Sequence, residues 1–124
     1  MKILVVDDEA EIVEELCGFL ERRGHDVTGA DGVEQARAAL DTSLPFDVVV
    51  TDMRMPPGNG VEVVCACRQL PTPPVVLLMT GQAAEADLDN ALRAGARSVL
   101  WKPLSLRKVM DALQAAMLPA PAVT

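Results

Sequence analysis

Four short apolar runs, Ile3–Val6, Val48–Val50, Val75–Met79 and Val99–Trp101, each break off within two residues of a polar side chain. Those side chains are Asp7 with Asp8, Asp52, Thr80, and Lys102 ahead of Pro103. Runs this short and this rich in aliphatic residues read as strands buried on both faces, the pattern of a parallel sheet. Between them the apolar spacing changes to the helical period. Over Glu9–Arg23, Ile12, Val13, Leu16, Phe19 and Leu20 form one stripe, and Glu11, Glu14, Glu15 and Glu21 face water. Gly24 is placed to end that helix in the left-handed region. Asp26–Ala30 is a weaker strand, and Val33–Leu40 a short helix that Asp31-Gly32 can cap. Asp47–Thr51 is the third strand. Met53–Gly60 follows as a loop, then the helix Val61–Leu70, stopped by Pro71. After the strand Val75–Met79, the helix Ala84–Ala94 has only Leu88 and Leu92 as large apolar anchors. Arg97–Trp101 is the fifth strand. Leu106–Leu118 is the last helix, with Ser105 as N-cap and Val109, Met110, Leu113, Ala116 and Met117 turned inward. Residues 119–124 read as a tail or the start of a linker beyond a domain of residues 1–118.

Five strands alternating with five helices imply an α/β fold with a parallel sheet covered on both faces. Strands one, three and four are continuous apolar runs and belong inside. Strand two carries Asp26, Thr28 and Gly29, and strand five carries Arg97 and Ser98, so both belong at edges. With right-handed crossovers the order 2-1-3-4-5 satisfies this. That order reverses direction between strands one and three, where ligands of such sheets bind. Asp7, Asp8 and Asp52 end those two strands.

At 124 residues the chain suits one domain with one sheet. Phe19, Phe46 and Trp101 are its only aromatic residues, so the core is aliphatic. A net charge of −7 argues against holding a nucleic-acid backbone by charge. No apolar run approaches the roughly 18 residues of a membrane span, and Met1-Lys2 leads into a strand rather than a signal peptide; the expectation is a soluble cytoplasmic domain. Cys17, Cys65 and Cys67 lack metal-site spacing; on a helix the last two point about 200° apart. They read as reduced thiols used for packing.

Carboxylates gathered at one spot raise one another's pKa, and a divalent cation relieves the repulsion. Oxygen ligands favour Mg²⁺, which keeps several waters and takes one or two carboxylates plus phosphate oxygens. Asp52 is then a candidate nucleophile toward a phosphoryl group, with Lys102 as positive charge and Thr80 as hydroxyl donor. Gly81 leaves the backbone accessible there. Singly, each residue has a plainer use: Asp8 as a helix cap, Lys102 as a surface lysine, Thr80 as a turn cap. Their joint placement carries the inference.

Five matches, Val5-Val6-Asp7-Asp8-Glu9, Asp52-Met53-Arg54-Met55-Pro56 with Gly60, Thr80-Gly81, Gly95-Ala96 and Lys102-Pro103, resemble the receiver domain of two-component response regulators over essentially the whole chain. The resemblance implies a flavodoxin-like (βα)5 three-layer sandwich with Asp52 as phospho-acceptor. It implies Mg²⁺ held by Asp8, Asp52 and the Arg54 carbonyl, with Asp7 acting through water. Lys102 and Thr80 would bind the phosphoryl group, and the Lys102–Pro103 peptide would be cis. The implied partners are a sensor histidine kinase or phosphotransfer protein as donor and an output domain or effector as recipient. A phosphorylation-dependent dimer is a further expectation; direct contact with nucleic acid or membrane is not expected.

One departure stands out. The family usually has an aromatic switch residue three positions before the lysine, and this chain has Val99. Trp101, two residues on and on the same strand face, either takes part in a switching surface between the fourth and fifth helices or simply covers an edge of the core. Arg54 and Gln82, each two residues past a site residue, are expected at the pocket mouth, where they would steer water. Three other readings stay open from sequence: a constitutive docking module, an aspartyl-phosphate phosphatase, and a flavin carrier. The phosphatase reading lacks the Asp-x-Asp spacing at the first strand end. The carrier reading is opposed by Asp7, Asp8 and Glu9 in the loop that would hold phosphate.

Overall fold

In the computed structural model, which describes residues 1–42, 44–81 and 85–117 without the Glu85 side chain, each apolar run becomes a strand of one sheet. The elements are β1 (Lys2–Val6), α1 (Ala10–Glu21), β2 (Asp26–Ala30), α2 (Val33–Leu40), β3 (Val48–Asp52), α3 (Gly60–Arg68), β4 (Val75–Thr80), α4 (Glu85–Ala94), β5 (Ser98–Trp101) and α5 (Leu106–Ala116). Gln82, the expected helix start at Ala84, the expected end at Leu118 and the tail 119–124 lie outside the described residues.

The sheet is parallel throughout, in the order β2-β1-β3-β4-β5. Its register sets Val5 beside Gly29 and Val50, and Val50 beside Leu77. Alternate residues of each strand serve opposite cores. Leu4, Val6, Val49, Val76 and Leu78 pack with Ala36, Leu40, Val63, Val64 and Ala91 on one face. Ile3, Val5, Val48, Val50, Leu77 and Met79 pack with Leu16, Phe19, Leu20, Val109 and Leu113 on the other. Two-sided burial is why β1, β3 and β4 are apolar at almost every position.

Helix ends follow local chemistry, with some differences from expectation. Ser105 caps α5 by accepting from the Lys108 N–H at 3.4 Å. Gly24 takes φ +87 just beyond α1. At α2 the N-cap falls within the expected Asp31-Gly32 pair, at Gly32, which has no side chain to offer; the Asp31 N–H donates to Gln35 at 2.8 Å, and no side chain caps the helix. At α3, Asn59 accepts from the Val61 and Glu62 N–H groups and Glu62 reaches back to the Asn59 N–H, a complete capping box. The loop before it holds a two-residue antiparallel ladder, Arg54–Met55 against Gly58–Asn59, turned through a cis Pro56–Pro57 peptide.

The expected inner faces of the last two helices are also revised. In α4 the fully buried residue is Ala91; Leu92 is 42% exposed. In α5, Val109 and Leu113 are buried while Met117 is 65% exposed. Small residues let α4 lie close to α3, and a large side chain such as Leu92 then falls outside the seam. Arg68 on α3 holds the far end of α4: its Nη1 donates to the Ala94 carbonyl at 2.9 Å. Gly95 beside it takes φ +125, and a Cβ there would sit 2.9 Å from the Arg68 Cδ and Nη1.

Candidate functional site

The C-terminal edge of the sheet collects the polar residues that ended the apolar runs. Asp7 directly follows β1 and is fully buried. Its Oδ1 accepts from the Glu9 N–H at 2.9 Å, and its own N–H donates to the Ala30 carbonyl at 3.1 Å. Asp52 is the last residue of β3; its Oδ1 accepts from the Met53 N–H at 3.0 Å. Asp8 is exposed. One carboxylate oxygen from each of Asp7, Asp8 and Asp52 lies within 4.8 Å of the other two.

Lys102 enters the cluster from the end of β5. Its Nζ is 2.9 Å from Asp7 Oδ2, 3.4 Å from Asp52 Oδ1 and 3.4 Å from Glu9 Oε1. Its backbone N–H donates to the Thr80 carbonyl at 2.7 Å, tying the two strand ends together. The Lys102–Pro103 peptide is cis. Glu9, which sequence matching included without a role, thus contributes a fourth carboxylate at the rim.

Burial chiefly, and then the charge of Asp7, push the Asp52 carboxyl above its usual range; Lys102 and the Met53 N–H oppose that shift. Burial alone would lower the Lys102 pKa, but its hydrogen bond to Asp7 and the charges of Asp52, Asp7 and Glu9 outweigh this and raise it. Four acids facing one ammonium leave excess negative charge in a partly desolvated place, which a cation relieves. The donors are all oxygen, the set suited to a hard divalent ion such as Mg²⁺ rather than zinc or copper.

A second signal lies opposite. Among the described residues Thr80 Oγ1, which is buried, has no hydrogen-bond partner, an arrangement that costs about 1–3 kcal/mol until some group arrives to satisfy it. Above Asp52 an open hollow of about 440 Å³ is lined by Asp8, Glu9, Arg54, Thr80, Gly81 and Lys102. Asp7 lies beneath it. Gly60 supports the floor: its N–H donates to the Met53 carbonyl at 2.9 Å, and a Cβ there would lie 2.7 Å from the Asp52 carbonyl oxygen. Of the candidate switch residues, Val99 is half-buried against the α2–α4 core, whereas Trp101 is 56% exposed.

Comparison with known proteins agrees with this geometry. The family model for the response regulator receiver domain matches residues 3–114. The chain is 40% identical over 108 residues to the alkaline phosphatase synthesis transcriptional regulatory protein PhoP of Bacillus subtilis, covering 87% of this chain and 45% of that protein. It is 37% identical over 114 residues to the transcriptional regulatory protein CpxR of Escherichia coli K12, covering 92% and 48%. The chain therefore spans about half the length of these curated relatives. Among solved structures, a response regulator receiver protein from Pseudomonas putida superposes with TM-score 0.85 at 30% identity, over 92% of this chain and 95% of that one. Vibrio cholerae chemotaxis protein CheY4 gives TM-score 0.86 at 27% identity, over 94% and 98%. Among the described residues no helix is long and apolar enough to cross a membrane. With the family model spanning residues 3–114 and curated relatives 40% and 37% identical, the chain belongs to the response regulator receiver domain family of two-component signalling.

Proposed function

We propose that Asp52 accepts a phosphoryl group from a phosphohistidine of a sensor histidine kinase or phosphotransfer protein, and that the chain catalyses on itself both this transfer and the later hydrolysis of the acyl phosphate to carboxylate and inorganic phosphate. The convergence of Asp7, Asp8 and Asp52 within 4.8 Å, beside Lys102 and a buried Thr80 hydroxyl with no partner among the described residues, carries the reading. Mg²⁺ would be held by Asp8, Asp52 and the Arg54 carbonyl, with Asp7 acting through water. When bound, it supplies positive charge that lets a carboxylate approach phosphoryl oxygens. Lys102 holds one of those oxygens as a point charge, and Thr80 donates its hydroxyl to another, so the buried orphan is satisfied only in the phosphorylated state.

A phosphoryl group replaces one negative charge with about two and adds strong acceptors. Its differential contacts with Thr80 and Lys102 bias the surface formed by α4, β5 and α5, where Val99 and Trp101 stand. Gln82 joins Arg54 at the pocket mouth in this reading. A cytoplasmic setting, an output domain or effector that reads the surface, and dimerisation on phosphorylation complete the proposal. Incubation with acetyl phosphate and Mg²⁺ followed by intact mass tests it. One phosphoryl group is expected on the wild type and none on Asp52→Asn, with a change in Trp101 fluorescence on labelling. Label retained by Asp52→Asn overturns the assignment.

A further inference from the structure

An asparagine followed by a glycine is chemically unstable, and the chain has one such pair, Asn59-Gly60, where the short ladder runs into α3. With no side chain on the glycine, its backbone nitrogen can reach the asparagine Cγ and close a cyclic imide. The fold acts on this reaction in two directions. Asn59 Oδ1 accepts from the Val61 N–H at 2.9 Å and the Glu62 N–H at 3.3 Å. Those donors lie where charge develops when Cγ is attacked, so the carbonyl is activated. The nucleophile is withheld: Gly60 is buried and its N–H donates to the Met53 carbonyl at 2.9 Å, which keeps that proton from solvent base. Ring closure also needs the Gly60 nitrogen eclipsed with the Asn59 Cβ, whereas Asn59 is extended at φ −149 and ψ 171.

We propose that Asn59-Gly60 is a self-modification site, locked by the capping box of α3, whose conversion to isoaspartate unseats the floor under Asp52. When the cap opens, a base takes the Gly60 amide proton, the nitrogen bonds to Asn59 Cγ, and the side-chain nitrogen leaves with a proton from water as ammonia. Water then adds to one carbonyl of the imide and breaks its bond to nitrogen. Opening at Cγ gives aspartate, which still caps the helix. Opening at the main-chain carbonyl gives isoaspartate, in which the backbone runs through the former side chain and is one carbon longer. Gly60 has no slack to absorb that carbon: its N–H holds the Met53 carbonyl, and a Cβ on it would lie 2.7 Å from the Asp52 carbonyl oxygen. The turn carrying Asp52 and Met53 is displaced. This last step bears on function through the reading of Asp52 as acceptor.

The test keeps the whole chain at mildly alkaline pH, in buffer and in urea, and follows aspartate and isoaspartate at position 59 by peptide mapping. The folded chain is expected to convert about three- to thirtyfold more slowly, the range that one cap spans. Glu62→Ala removes the acceptor 3.3 Å from the Asn59 N–H and speeds conversion in buffer while leaving the rate in urea unchanged. Ile3→Val, a mild change in the opposite core, leaves both rates as they were, which separates local opening from global unfolding. A folded rate within about threefold of the urea rate, no effect of Glu62→Ala, or an equal effect of Ile3→Val overturns the lock. The isoaspartate form is then refolded and labelled with acetyl phosphate and Mg²⁺ beside Asn59→Asp. Labelling about tenfold slower than in Asn59→Asp, or failure to refold where Asn59→Asp does, supports the displaced floor; equal labelling overturns it. A wild type that takes no label brings down the acceptor reading, and the conversion rates still decide the lock by themselves.

Discussion

Replacing Asp52 with asparagine should make the protein more stable, although it removes the central residue of the site. The substitution deletes one negative charge while keeping an oxygen for the Met53 N–H, which donates at 3.0 Å. Oxygens of Asp7 and Asp8 lie within 4.8 Å of an Asp52 oxygen. At that spacing, with an effective dielectric near 20, each repulsion amounts to about 3.5 kcal/mol. The attraction of Lys102 at 3.4 Å returns about 5 kcal/mol on the same scale. The balance is unfavourable by about 2 kcal/mol before desolvation is counted, and Asp52 is only 6% exposed. Lys102 keeps Asp7 at 2.9 Å as its partner in the variant, so no ammonium is stranded. Asp52→Asn is therefore expected to raise the unfolding free energy by about 1–3 kcal/mol in buffer containing EDTA. Urea denaturation near neutral pH, followed by far-ultraviolet circular dichroism, measures it. Mg²⁺ should then close the gap, because it stabilises the wild type more than the variant. A variant no more stable than the wild type in EDTA, or equal responses to Mg²⁺, would refute the claim that these carboxylates repel one another in the folded state.

Gly60→Ala forces a Cβ to within 2.7 Å of the Asp52 carbonyl oxygen, and should lower stability by about 1–3 kcal/mol while slowing phosphorylation. Gly32→Ala is the milder comparison, since that backbone is extended at φ 176 with open space around it; the unfolding free energy from urea titration should fall by no more than about 1 kcal/mol, the cost of alanine at a helix N-cap. Thr80→Val removes a buried hydroxyl that has no partner among the described residues, so the unlabelled protein should be as stable as wild type or up to about 1 kcal/mol more so, with acetyl phosphate labelling impaired. Burial pushes the Cys67 thiol up to about 12, and burial and Glu21 raise that of Cys17. A higher pKa leaves less thiolate at mildly alkaline pH, so iodoacetamide should modify exposed Cys65 first and Cys67 only after unfolding, as read by peptide mass mapping.

The sheet was legible because burial on both faces writes itself into composition: β1, β3 and β4 have no wet side, and their residues say so. The site was legible for a related reason, since strand ends at a reversal of sheet order are close in space however far apart in sequence. Details set by small residues were not. Ala91 is invisible to a search for large anchors, yet its size is what admits α4 to its place beside α3. The Asn59 capping box had a readable signal, an asparagine three residues ahead of Glu62, hidden inside a loop already assigned to Pro and Gly. The role of Glu9 depends on the reach of Lys102, which no spacing rule contains. Met117 sits one turn past the last buried position of α5, where the periodic stripe continues but the sheet beneath it has ended.

The contact between Arg68 and Gly95 limits how this part of the chain can drift over generations. A larger residue at 95 meets both the strained backbone of that turn and the arginine side chain, and shortening position 68 relieves only the second. Once that happens the Ala94 carbonyl must turn to water for its partner. The two positions are thus linked unequally: the arginine can be lost with the glycine in place, whereas a side chain at 95 stays strained at φ +125 even with the arginine gone.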